Sequence, residues 1–138
     1  MPSEFNERVI AEFRANRGRV GGELANTPII LIHHIAAKTR TERVTPLAYS
    51  PQPDGCLVIA ASNGGSPTHP AWYHDLKAHA TIDVELGTET FTARADEVTG
   101  AARAAVWSKL AAASPALREF QAQTARRIPL FMLTRRTS

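Results

Sequence analysis

At 138 residues, 43% apolar and 21% charged, the chain has the size and composition of one globular domain, which excludes disorder as its main state. A single cysteine, Cys56, excludes an internal disulfide, and the expectation is a reduced, cytoplasmic protein without a secretory leader or spanning helix. The net charge is +3, and most of the 16 Lys and Arg are Arg, a bias that suits phosphate ligands, nucleic acid or an anionic surface without choosing among them.

Residues 3–17 predict a helix: Ser3 can cap it, Glu4 and Glu7 suit its first turn, and Phe5, Val9 and Phe13 recur every four positions. Gly18 ends the pattern and Gly21-Gly22 makes a loop. PIILIHHI predicts a first strand and Arg43–Tyr49 a second. A turn with Asp54-Gly55 leads to a third strand, CLVIAAS, in which Cys56 reads as a buried, inert thiol. The loop SNGGSPTHP follows, then a short helix, AWYHDLKAH. Thr81–Leu86 and Glu89–Val98 alternate around Gly87-Thr88, which predicts a type II′ hairpin. Ala101–Ala112 predicts a helix, Ser114-Pro115 opens another reaching about Arg127, and IPLFMLT closes the chain as a strand.

Short connections argue for antiparallel pairing. The expected fold is α+β and mainly β: six to seven antiparallel strands curled into a small barrel, with helices packed outside. Residues 1–138 read as one domain, of which 1–19 form an amphipathic helix and loop. The stripe Phe5, Val9 and Phe13 either docks on the barrel or, with Arg8, Arg14, Arg17 and Arg19, meets a membrane surface.

Two segments carry chemistry. AAKTRTERVTP spends more residues than a tight hairpin needs and places Lys38, Arg40 and Arg43 close together. Lys supplies a compact cation and Arg a planar fork for phosphate oxygens, with Thr39 and Thr45 adding hydroxyls. The turn is either an anion clamp or a solvated basic loop balanced by Glu42. In AASNGGSPTHPAWYHDL, Gly64-Gly65 lets the backbone approach a ligand, and Ser62 and Asn63 end an apolar strand. Trp72 and Tyr73 stand at a helix start, where Trp72 either offers a flat face to a ring or plugs the barrel end.

The stretches KTRTERVTPL and ASNGGSPTHPAWYHDLKAH resemble the motifs of the deazaflavin-dependent nitroreductase family, which uses coenzyme F-420, and GRVGGELANTPIILIHH and RRIPLFML extend the likeness over nearly the whole chain. The resemblance implies a split β-barrel like that of FMN-binding proteins. It implies hydride transfer from the reduced deazaflavin to an organic acceptor such as a quinone or nitro compound. Lys38, Thr39 and Arg43 would hold the phosphate and acidic tail, with Val44, Thr45, Pro46 and Leu47 lining the same groove. Ala60, Ala61, Ser62 and Asn63 would meet the ring system, with Trp72 and Tyr73 completing the pocket. Arg40 stands where the family has Gly, so a left-handed turn there is costly. Asn63 replaces the usual Lys, and Ser114, Leu117 and Phe120 fall where some members carry tyrosines.

Proton delivery falls to Ser62, Tyr73, His34 or water, with Ser62 and Tyr73 the candidate catalytic residues. His33 and His34 point to opposite faces of a strand, and His69, His74 and His79 lack helical metal-pair spacing, so no metal is expected. Nucleic acid is not expected as a partner. A homodimer, a non-catalytic deazaflavin carrier and an FMN-binding protein remain alternatives.

Overall fold

The computed structural model describes residues 4–21 and 28–136; the Ser3 cap, Gly22 and the GELAN stretch lie outside the described residues. The elements are α1 (Glu4–Ala15), β1 (Ile29–Ile35), β2 (Glu42–Ala48), β3 (Ser50–Pro51), β4 (Leu57–Ala60), a 3-10 turn (Asn63–Gly65), α2 (Ala71–Ala78), β5 (Thr81–Leu86), β6 (Glu89–Val98), α3 (Gly100–Ala113), α4 (Pro115–Ala122) and β7 (Leu130–Arg135).

The strands form one antiparallel sheet in the order β2-β1-β5-β6-β7-β4-β3. Its two edge strands, β2 and β3, are separated in the chain by Tyr49 alone. Two ends of a sheet order joined by one residue are close in space only if the sheet curls round, so the chain traces a split barrel. The predicted β5–β6 hairpin is present. Gly87 has φ +62° while Thr88 stays out of the left-handed region, as a type II′ turn requires.

The barrel interior is filled by Ile30, Ile32, Ile59, Ile82, Val84, Phe131 and Leu133, and Trp72 and Leu76 of α2 pack into the same core. Outside, Val9 and Phe13 of α1 cover Ile29 and Leu31, while Leu110, Leu117 and Ile128 cover Val58 and Leu130. Strands β1, β4 and β7 are thus buried on both faces, which is why they read as continuous apolar runs rather than alternating ones. Burying Val9 and Phe13 contributes roughly 1.5–3 kcal/mol each. Phe5 of the same stripe stays 47% exposed. Among the described residues no helix is long and apolar enough to cross a membrane.

Three details differ from expectation. Strand β3 is only two residues long and escapes the sequence pattern. Helix α4 ends at Ala122 rather than near Arg127, because the Gln121 amide takes over beyond it, donating to the Arg126 carbonyl (2.7 Å) and accepting from the Ile128 N–H (3.0 Å). Cys56 is half-buried at the end of a turn rather than inside the strand, with Sγ 3.6 Å from Thr134 Oγ1. The Ser114 cap holds, its Oγ accepting the Leu117 N–H at 3.2 Å.

Candidate functional site

The basic turn joins β1 to β2. The Ala36 N–H donates to Thr41 O and the Arg40 N–H to Ala36 O, both at 2.9 Å, which leaves Arg40 left-handed at φ +62°. Lys38, Thr39, Arg40 and Arg43 are exposed, and among the described residues no carboxylate pairs with any of these cations. The Lys38 and Thr39 N–H groups find no acceptor there either. Glu42 does not balance the turn: its carboxylate lies 3.2 Å from His33 Nδ1. His33 Nε2 in turn meets Glu85 at 2.6 Å, and Arg14 holds Glu85 through two hydrogen bonds. The Arg14 hydrogen bonds, chiefly, keep the Glu85 carboxyl below its ordinary pKa.

Alternation along β2 sorts the expected groove residues. Arg43, Thr45 and Leu47 pair with His34, Ile32 and Ile30, and share their inner face. Val44 lies on the opposite face with the α1 cluster, and Pro46 shares that side. The side chains of the four residues therefore divide between the two faces of the strand.

His34 points inward and is 2% exposed. Its Nδ1 lies 2.7 Å from Asp75 Oδ2 and its Nε2 lies 2.8 Å from Thr45 Oγ1. Asp75, on α2, is 4% exposed and also accepts the Ala37 N–H at 3.0 Å through Oδ1. Burial is the largest influence on His34 and lowers its pKa, against the opposing pull of Asp75. The two chain segments, far apart in sequence, are tied together by Asp75, a residue that sequence reasoning missed.

The second segment is held by another missed residue. Arg126, between α4 and β7, donates to the carbonyls of Ala61 (3.1 Å), Ser62 (2.8 Å) and Ser66 (3.0 Å), and to His69 Nδ1 (3.0 Å). One rigid fork thus fixes the bend that follows β4. Burial first, then the Arg126 cation, hold the His69 ring below its ordinary pKa. Ala61 is fully buried, Ser62 half-buried, and Asn63 is left-handed at φ +48° with its amide donating to Thr68 O. Gly65 serves packing rather than ligand approach: a Cβ there would lie 2.7 Å from Gln123 Oε1 and 3.1 Å from Phe120 O.

Trp72 is buried in the barrel core, 6% exposed, its ring centroid 5.9 Å from that of Phe131. Tyr73 is half-buried and stacks on His69 at 4.1 Å between centroids. Neither the Ser62 nor the Tyr73 hydroxyl has a hydrogen-bond partner among the described residues.

A family model described as F420H(2)-dependent quinone reductase matches residues 6–135. The F420H(2)-dependent quinone reductase Rv1261c of Mycobacterium tuberculosis is 35% identical over 131 residues, covering 91% of this chain and 87% of its own. A solved F420-H2 dependent reductase (FDR-A) superposes with TM-score 0.69 at 34% identity, covering 77% of this chain and 93% of that one. A second solved chain, described as a domain-swapped dimer, superposes with TM-score 0.70 at 32% identity over 92% of this chain and 96% of that one.

Proposed function

This chain belongs to the F420H(2)-dependent quinone reductase family, and we propose that it is an oxidoreductase that uses reduced coenzyme F-420 to reduce a quinone. The observation that carries this reading is the turn at 36–43, whose exposed cations lack carboxylate partners among the described residues. Clustered cations repel one another, so a protein that keeps them together gains by binding an anion. Those residues fit the acidic tail of the coenzyme.

When bound, the deazaflavin supplies hydride chemistry. The protein's part is placement. Lys38, Arg43 and the Lys38 and Thr39 N–H groups hold the phosphate and acidic tail, with Arg40 as an additional cation. Thr45 and Leu47 face the same side of β2, while Val44 and Pro46 support the strand from behind. Ala60, Ala61, Ser62 and Asn63 present the bend to the ring, with Trp72 as the floor beneath it. Ser62 and Tyr73 are the hydroxyls available to pass a proton to the reduced acceptor.

Anaerobic oxidation of the reduced coenzyme, followed by absorbance with a panel of quinones, tests the reading. Saturable turnover is expected with quinones, and nitroaromatic compounds form a second acceptor class for the same assay. Tight binding without turnover would assign the protein a carrier role instead. Lipid contact by α1 rests on Phe5, exposed with the Arg8 guanidinium 5.8 Å from its ring centroid, and liposome co-sedimentation with and without residues 1–19 tests it.

A further inference from the structure

We propose that the buried Asp75–His34 pair is a positioning device that locks the two halves of the site together and commits the Thr45 hydroxyl to accept, rather than donate, a hydrogen bond from the coenzyme. The proposal rests on the deazaflavin reading above and assigns roles within that site.

A carboxylate only accepts, so the 2.7 Å contact to Asp75 Oδ2 puts the imidazole hydrogen on His34 Nδ1. In the neutral ring that burial favours, Nε2 is bare, and Thr45 Oγ1 at 2.8 Å is the group that donates to it. The hydroxyl has one hydrogen, and it is spent. What Thr45 offers a ligand is lone pairs alone, which suit an O–H or N–H group and repel an unprotonated phosphate oxygen. Recognition within the site is thereby divided. Anionic oxygens fall to Lys38, Arg43 and the N–H groups of the turn, and a donor group of the coenzyme falls to Thr45.

The same pair joins the halves mechanically. Asp75 lies on α2, a few residues beyond Trp72 and Tyr73, and its Oδ1 takes the Ala37 N–H next to Lys38. Both ends of the pair are almost wholly buried, and no buried side-chain polar atom among the described residues lacks a partner. A satisfied polar network in an apolar barrel is rigid, because every alternative leaves a polar group unpaired. Displacing Asp75 would therefore release the clamp from α2.

The test uses the full chain and oxidised coenzyme F-420. Calorimetric affinity is measured for the wild type, Asp75→Asn, Lys38→Ala and the double variant, with chemical denaturation of each. Asp75→Asn is expected to weaken binding roughly tenfold. The double variant should lose less than the product of the single losses, because the clamp is already displaced when Asp75 is changed. Thr45→Val should weaken binding and Thr45→Ser should retain it. Wild-type affinity in folded Asp75→Asn, or losses that multiply in full, would overturn the positioning role. Equal affinity in Thr45→Val would overturn the acceptor assignment. Absence of binding by the wild type would overturn the deazaflavin reading itself, a distinct result. Should Asp75→Asn fail to fold, nitrogen NMR of the wild-type imidazoles decides: a neutral His34 with its hydrogen on Nδ1 is expected, and a hydrogen on Nε2 contradicts the chain of donors.

Discussion

Glu42 and Arg43 are neighbours in the chain yet serve opposite faces of β2: the Glu42 carboxylate lies 3.2 Å from His33 Nδ1, while Arg43 pairs in register with the inward-facing His34. The strand's two-residue period thereby separates Arg43 from the acid nearest to it in sequence. Lys38→Ala and Arg43→Ala should each weaken coenzyme binding by roughly 1–3 kcal/mol, the range of a charge-assisted hydrogen bond. Glu42→Gln should leave affinity within about twofold, since its partner is elsewhere. Isothermal calorimetry at fixed ionic strength measures all three, and a large gain in Glu42→Gln would mean that Glu42 does balance the turn.

Arg126 holds the bend after β4 by hydrogen bonds that no other side chain could replace together. Arg126→Ala should cost about 2–4 kcal/mol, because carbonyls that now accept from a cation lose their donor. Arg126→Lys should recover only part of this, since an ammonium lacks the planar fork. Urea denaturation gives the stability, and coenzyme titration shows whether the ring-facing bend has loosened.

Arg40 carries a conflict between backbone and charge. Its φ of +62° strains any residue with a Cβ, by about 1 kcal/mol or more. Arg40→Gly removes that strain but adds unfolded-state entropy of roughly 0.5–1 kcal/mol. The net change in denaturation free energy should lie between zero and about +1 kcal/mol. If Arg40 also contacts the coenzyme, affinity falls in the same variant, and the two measurements separate backbone from charge.

The buried His34 ring gives stability a definite pH dependence. Its folded pKa is lowered from 6.5, chiefly by burial. Above about pH 6.5 the ring is neutral in both states and contributes no slope. As pH falls below that value the unfolded ring takes up a proton first, so the unfolded state binds more protons and stability declines until the folded pKa is passed. His69, lowered for a related reason, acts in the same direction. Urea denaturation at pH 7 and at lower pH should show this decline, and His34→Gln should flatten it. Identical slopes in the two proteins would show that His34 is not the group responsible.

Much of this fold is legible in the sequence because its signals are local. The apolar runs of β1, β4 and β7, the Gly87-Thr88 hairpin and the Ser114-Pro115 cap each lie within a few residues of the structure they specify. The exposure of Lys38 and Arg43 is legible for the same reason. Asp75 is not: within AWYHDLKAH it reads as an ordinary helix-surface charge, and only His34, 41 residues away, explains its burial. Arg126 is hidden likewise, its partners lying 57 to 65 residues upstream. For Trp72 the sequence allowed a ring platform or a barrel plug, and the structure packs it, almost wholly buried, against Phe131. Gly65 looked like room for a ligand, but that room is taken by Gln123 and Phe120.

In the proposed complex, the cations of the β1–β2 turn and the start of β2 grip the charged tail of a deazaflavin whose ring settles by the Ala60–Asn63 bend. A crystal structure of the protein grown with oxidised coenzyme F-420 tests it most directly. Phosphate oxygens are expected within hydrogen-bond distance of Lys38 and Arg43, and the ring against Ser62. A coenzyme seated on another face, with the turn left in solvent, would contradict it.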